Sequence, residues 1–204
     1  MKLGQVVSVG DNMSFLEVVA VVSSAAGIWL MTRRSLTAWP VTLLACFLYA
    51  AVFREARLYS DMLLQGIYAA FCIYGWWHWF QGVREQGSVR VEAFLWQGWL
   101  YGIVAGVLGS ILLGFAMARY TNAALPHIDA SLTAFSLVAQ WWQTRRYLAN
   151  WLLWIAIDAV YVGVFAYKSL YITAGLYAFF VLLAILGLRS WRQAISKTPK
   201  NMNS

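Results

Sequence analysis

Residues Asn150–Tyr171 read NWLLWIAIDAVYVGVFAYKSLY. The stretch is long enough to cross a bilayer, and nearly every side chain in it is apolar or aromatic; a membrane span needs about 20 such residues. Near its middle stands one carboxylate, Asp158. An acid at membrane depth costs about 2.5–3.5 kcal/mol on insertion scales, which marks such residues as functional. In a helix, Trp151, Trp154, Asp158 and Tyr161 fall at i, i+3, i+7 and i+10 and so share one face. A face of three aromatic rings and one acid suits a flat, polar or cationic small molecule better than lipid.

The rest of the chain is of the same kind. Of its 204 residues 62% are hydrophobic and 11% charged, against about 25% charged in soluble domains, and the mean hydropathy is +0.64. This is the composition of an all-α polytopic membrane protein, expected as a single membrane domain over 1–204. Seven apolar runs are expected as spans, near 15–31, 37–55, 59–80, 95–118, 128–143, 148–167 and 170–191. Gln81–Val91 and Arg119–Ile128 read as loops, and the tail after Arg192 as polar and frayed. The first fourteen residues are weakly basic and lack a small-residue cleavage site, so the first span is expected to be retained.

The net charge of +7 does not point to nucleic acid, because the basic residues cluster at span ends instead of forming a polar basic face. They report orientation. One side collects Arg33, Arg34, Arg84, Arg90, Arg145, Arg146, Arg189, Arg192, Lys197 and Lys200; the other holds Lys2, Arg54, Arg57, Arg119 and Lys168. The richer side is cytoplasmic by the positive-inside rule. This places the N-terminus outside and the C-terminus in the cytoplasm.

The chain also repeats itself without a gap. Thr32-Arg33-Arg34 recurs as Thr144-Arg145-Arg146, 112 positions on. The same offset pairs Trp39 with Trp151, Tyr49 with Tyr161, Val52-Phe53 with Val164-Phe165, Gly75 with Gly187, and Trp79 with Trp191. Two three-helix repeats, 15–80 and 128–191, are therefore expected around one linker helix, 95–118. The odd linker makes the repeats parallel, a plan that puts a substrate site at mid-membrane between halves. The halves differ at polar positions. Asp158 corresponds to Cys46, Trp154 to Thr42, Gln65 to Tyr177, and Asp61 to Thr173. An asymmetric ligand between symmetric halves needs such differences.

The segments Leu58–Trp79 (LYSDMLLQGIYAAFCIYGWWHW) and Asn150–Asp158 (NWLLWIAID) resemble the PnuC family of bacterial vitamin transporters. The matching features are Leu58-Tyr59, Gln65, Tyr74-Gly75-Trp76 and Trp79 in the first repeat. In the second they are Trp151, Trp154, Leu170-Tyr171, Gly187 and Trp191. The resemblance covers both repeats. It implies a three-plus-one-plus-three fold in the bacterial inner membrane, and facilitated diffusion of an unphosphorylated vitamin, most often nicotinamide riboside. A cytoplasmic vitamin kinase then traps the substrate. Relatives of the same fold take thiamine or riboflavin, and some family members are homotrimers. A nicotinamide riboside member carries Asn where this chain has Asp158, which brings thiamine forward as a rival.

The expected substrate-binding residues are Asp158, Trp154, Trp151, Gln65, Tyr68, Trp39, Tyr161 and Tyr177. Asp158 serves as partner to a cationic ring or acceptor for a hydroxyl, and otherwise as a structural hydrogen-bond partner. Trp151 and Trp154 serve as stacking surfaces, with an interfacial or scaffold role as the alternative for Trp151, which has a counterpart in Trp39. Gln65 offers donor and acceptor together, for a ligand or for a neighbouring helix. Glu17 and Asp129 fit matched acids at helix N-termini. Cys46 and Cys72 fit core filler, and His78 and His127 have no metal-site spacing, so no cofactor or metal is expected. A membrane-embedded enzyme would need a nucleophile with a base or paired carboxylates at depth, and the sequence offers neither. A retinal-type receptor needs a lysine midway along the last span, where Tyr171–Trp191 has none. An accessory membrane protein is the remaining alternative class.

Overall fold

Backbone polar groups find no water inside a bilayer, so a spanning segment satisfies them internally by forming a helix. The computed structural model describes residues 15–55, 57, 59–92, 96–120 and 125–197. Within them lie seven helices: α1 (Phe15–Thr32), α2 (Ala38–Glu55), α3 (Tyr59–Gln86), α4 (Trp96–Tyr120), α5 (Pro126–Thr144), α6 (Ala149–Tyr167) and α7 (Tyr171–Lys197). The placements expected for Met1, Lys2, Leu58 and Lys200 lie outside the described residues.

Five helices, α1, α2, α4, α6 and α7, are long and apolar enough to cross a membrane. The shortest, of 18 residues, measures about 27 Å at 1.5 Å per residue, close to the thickness of the hydrocarbon core. The chain is a multi-pass membrane protein. α3 and α5 fall outside that set because they carry polar side chains along their length, among them Asp61, Gln65, His78, Asp129, Ser136, Gln140 and Gln143.

Two expected loops and the expected frayed tail are corrected. α3 runs on to Gln86, through most of the predicted loop 81–91, and stops only where Gly87 takes φ +73° and its N–H closes on Val83 O at 2.8 Å. α7 runs to Lys197 instead of fraying after Arg192, and α4 and α5 reach Tyr120 and Pro126 from either side of the predicted loop 119–128. Polarity in these segments reports where the chain leaves lipid, while helix continues until a residue ends it.

The turns recur at the offset seen in the sequence. Arg34 and Arg146 both take the left-handed conformation, at φ 57° and 64°, and so do Arg57 and Ser169, at 58° and 59°. The Ser35 N–H reaches back to Leu30 O at 3.2 Å, and the Tyr147 N–H to Trp142 O at 3.0 Å, the six-to-one bond of a Schellman helix end. Thr32 and Thr144 each donate from Oγ1 to the carbonyl three residues earlier, Trp29 and Trp141, both at 2.7 Å. A non-glycine residue in the left-handed region costs roughly 1–2 kcal/mol, so four such residues in matched pairs are held by their surroundings.

Six helices pack as a ring: α1 on α2, α2 on α3, α3 on α5, α5 on α6, α6 on α7, and α7 back on α1. α4 lies outside the ring against α5, its Gly102 and Gly106 facing the Trp142 and Phe135 rings. The main core gathers at one end of the ring around Trp39, Trp79, Trp151 and Trp191, all at most 1% exposed, with Met31, Cys46 and Cys72. Cys46 and Cys72 are free thiols that pack in this same core, one on α2 and one on α3. Val89 and Val91 pack over the same core. The strap they belong to is pinned to the α5–α6 turn. The Glu92 N–H donates to Arg146 O at 3.0 Å, the Leu148 N–H donates to Glu92 O at 3.3 Å, and Arg146 Nη2 meets Glu92 Oε1 at 2.9 Å.

Candidate functional site

α6 places Asp158 on the buried side of the helix, 7% exposed, one turn beyond Trp154. No hydrogen bond joins its carboxylate to another described residue, and three tyrosines lie within electrostatic reach: Tyr68 of α3, Tyr161 of α6 and Tyr177 of α7. Tyr161 and Tyr177 pack with ring centroids 4.7 Å apart, and Phe165 stacks on Tyr177 at 5.2 Å. The Tyr68 hydroxyl faces Ser136 on α5. The acid and the three phenols thus come from three helices of the ring, α3, α6 and α7, with Ser136 of α5 beside Tyr68.

Trp154 stands one turn before Asp158 on α6. It packs against the main core and also against a second cluster formed by Leu132, Ala139 and Ile157. Its indole N–H donates to Gln143 Oε1 at 3.0 Å. Gln65 is partly buried on the Tyr68 face of α3, and its amide makes no hydrogen bond to another described residue.

Trp39 and Trp151 stand elsewhere. Each is 1% exposed and lies in the four-tryptophan core, where the Trp39 ring meets Trp79 edge-on at 5.2 Å and Trp151 meets Trp191 edge-on at 5.5 Å. Their rings press on Gly75 and Gly187, where an added Cβ would collide with the indole in each case. The indole N–H groups of both are buried without a partner among the described residues, whereas Trp79 donates to the carbonyls of Gln143 and Thr144 at 3.3 and 3.1 Å, and Trp191 donates to Met31 O at 3.0 Å. The shared face read from the spacing holds for Trp154, Asp158 and Tyr161; Trp151, three residues earlier, is taken up by the core.

Glu17 and Asp129 both sit in the first turn of a helix, where the dipole favours negative charge. His78 stacks on Tyr74 at 5.9 Å, and Tyr74 in turn stacks on Trp141 at 5.6 Å while its hydroxyl accepts from Arg145 Nη1 at 3.2 Å. Among the described residues no group of His, Cys, Asp and Glu could hold a metal ion. An open groove of about 540 Å³ between α4 and α5, lined by Tyr101, Gly109, Leu137 and Trp141 among others, lies on the outer helix pair and has no residue in common with the Asp158 cluster.

A family profile described as nicotinamide mononucleotide transporter matches residues 14–193, nearly the whole chain. The chain belongs to this transporter family. Among its relatives in the family is the nicotinamide riboside transporter PnuC of Escherichia coli, 24% identical over 207 residues that cover 89% of this chain and 87% of the relative. The riboflavin/roseoflavin transporter RibM of Streptomyces davaonensis is 26% identical over 162 residues, covering 78% and 76%. The crystal structure of a vitamin B3 transporter PnuC has the same fold, with a TM-score of 0.74 at 22% identity, covering 94% of this chain and 86% of that one. Membership of this family bears out the resemblance read from Gln65, the Tyr74-Gly75-Trp76 motif and Trp154.

One residue bonded at the edge of the Asp158 cluster, Gln143, is not among the expected site residues. In the sequence Gln143 directly follows the Trp141-Trp142 pair. Its signal is the same one that picked out Asp158: it stands where the first half has Met31.

Proposed function

We propose that this transporter carries an unphosphorylated vitamin across the bacterial inner membrane by facilitated diffusion, with nicotinamide riboside as the substrate. The observation that carries the reading is the cluster of Trp154, Asp158, Tyr68, Tyr161 and Tyr177, inside the helix ring of a transporter-family chain. Asp158 and Trp154 belong to one half only; their counterparts are Cys46 and Thr42. A carboxylate beside aromatic rings fits a flat ring with a fixed positive charge, through charge and cation–π attraction. Gln65 adds an amide for a carboxamide or ribose hydroxyl. Trp39 and Trp151 belong in this reading to the scaffold behind the site.

The architecture we propose is two parallel three-helix repeats, 15–80 and 128–191, joined by the linker helix 95–118. The N-terminus is outside and the C-terminus cytoplasmic. The matched left-handed turns and the crossed bonds of Trp79 and Trp191 support the repeats. Net uptake then depends on a cytoplasmic kinase, because a phosphate adds close to two negative charges that an aromatic passage with an acid does not accept. The resemblance also implies a homotrimer.

A second reading, riboflavin as substrate, is favoured by the likeness to RibM; thiamine, a cationic ring, is favoured by Asp158. Proteoliposomes decide between them. Nicotinamide riboside is expected to equilibrate across the membrane without ATP or an ion gradient, faster than thiamine or riboflavin. Accumulation above the outside concentration with no internal kinase contradicts facilitated diffusion, and a faster rate for either rival reassigns the substrate.

A further inference from the structure

Gln143 is bonded in two directions. Its main-chain carbonyl accepts from the Trp79 indole at 3.3 Å, within the four-tryptophan core. Its side-chain Oε1 accepts from the Trp154 indole at 3.0 Å, at the edge of the Asp158 cluster. The residue is 7% exposed. In the first half, Met31 stands in its place, and the Met31 carbonyl takes the Trp191 indole at 3.0 Å, so the main-chain bond is repeated. The side-chain bond is not repeated. Met31 has no amide, and Thr42, at the position of Trp154, bonds within its own helix to Ala38 O at 2.9 Å. The amide–indole bond occurs only in the half that holds Asp158.

An indole nitrogen is a donor only, with one hydrogen to give. Once that hydrogen is given to Gln143, Trp154 has no donor left for a ligand, and its ring plane is fixed by a bond at one edge. What remains for a ligand is the face of the ring, one helical turn from the carboxylate. The bond also fixes the amide: with Oε1 committed, the free hydrogen-bonding group of Gln143 is its NH₂.

We propose that Gln143 is a positioning residue for the substrate site, holding Trp154 so that it stacks on a flat aromatic ligand and does not hydrogen-bond to it. The proposal rests on the site assigned under Proposed function. It predicts selectivity: ligands that stack are retained, and an acceptor on the ligand gains nothing from the Trp154 N–H.

The test uses the full chain in detergent, labelled with 5-fluorotryptophan and observed by ¹⁹F NMR, with the Trp154 resonance among the twelve tryptophans assigned by its loss in Trp154→Phe. In Gln143→Met, which copies the other half, and in Gln143→Leu, the Trp154 resonance is expected to shift and broaden. The Trp79 resonance stays, because its bond is to the main chain. Gln143→Glu keeps the acceptor and is expected to restore the Trp154 line. Affinity for nicotinamide riboside is expected to fall about five- to tenfold in the Met and Leu variants, the scale of one hydrogen bond, and to recover in the Glu variant. An unmoved Trp154 resonance in folded Met and Leu variants overturns the proposal, whatever the ligand. So does a displaced resonance with unchanged affinity in a protein that binds nicotinamide riboside. A wild-type protein that binds none of the three vitamins removes the substrate reading instead, while the resonance still decides whether Gln143 holds Trp154.

Discussion

Trp79 and Trp191 stand 112 residues apart in the chain and 5.7 Å apart in space, ring centroid to ring centroid. Each donates its indole N–H to the end of a helix from the opposite half: Trp79 of α3 to Gln143 and Thr144 of α5, Trp191 of α7 to Met31 of α1. Residue i of one half meets residue j of the other and the reverse holds, which is the pattern of an isologous two-fold contact and supports the proposed repeats. Both indoles are fully buried, so a lost donor leaves its acceptor without solvent to replace it. Trp79→Phe and Trp191→Phe are each expected to destabilise the protein by about 1 kcal/mol. Thermal unfolding in detergent checks this; a large loss in one variant and none in the other contradicts an equivalent role.

The close approach of Trp39 to Gly75 and of Trp151 to Gly187 makes a second matched pair. A methyl at either glycine collides with an indole that is 1% exposed and packed on all sides. Gly75→Ala and Gly187→Ala are each expected to cost roughly 1–3 kcal/mol, the range for overpacking. Gly175, with nothing within 4 Å of an added Cβ, is the control. Gly175→Ala is expected to be neutral or slightly stabilising, as alanine is the better helix former. Equal unfolding midpoints for all three variants would remove the packing argument.

Most of this was legible because a duplicated sequence carries its own control. The offset of 112 pairs scaffold residues such as Trp79 with Trp191, so the mismatches, Asp158 with Cys46 and Trp154 with Thr42, stand out without any structure. Spacing on one helix could not say which of the residues on a face the core absorbs. Trp151 and Trp154 differ by less than one turn, yet Trp151 is sealed behind Gly187 and Trp154 reaches the second cluster and bonds to Gln143. Gln143 was hidden for a related reason: its role depends on α5 meeting α6 at that depth, which no pattern within α5 reveals. Helix ends were misplaced at α3 and α7 because hydropathy marks the edge of the lipid, and the helix outlasts it until Gly87 or beyond Arg192.

Orientation is checked by labelling. Lys and Arg are richer on the side of Arg33, Arg90 and Arg145 than on the side of Arg54 and Lys168. With Cys46 and Cys72 replaced by alanine, single cysteines are placed at the exposed positions Arg54 and Arg90. A membrane-impermeant maleimide added to intact cells is expected to label Arg54→Cys. It should reach Arg90→Cys only after the membrane is opened. The reverse pattern inverts the topology, and labelling of both from outside contradicts an odd number of spans between them.

In the proposed site, Asp158 is the residue expected to set what kind of ring is accepted. Nicotinamide riboside and thiamine each carry a fixed positive charge on an aromatic ring, and riboflavin does not. A carboxylate in a low-dielectric setting attracts such a charge far more strongly than an amide does, although desolvation offsets much of the gain. Asp158 is 7% exposed and makes no hydrogen bond to another described residue. If it meets the cationic ring, Asp158→Asn is expected to weaken binding of nicotinamide riboside and thiamine by about 1–3 kcal/mol, the scale of a charge-assisted contact, and to leave riboflavin unchanged. If it accepts only from a ribose hydroxyl, Asn replaces it with little loss for any of the three. If it is structural, the variant loses thermal stability and all three affinities together. The measurement is the affinity of wild type and Asp158→Asn for each vitamin, followed by tryptophan fluorescence because Trp154 borders the site. Unchanged affinity for all three ligands in a well-folded variant would take Asp158 out of the site and leave Trp154 and the tyrosines to define it.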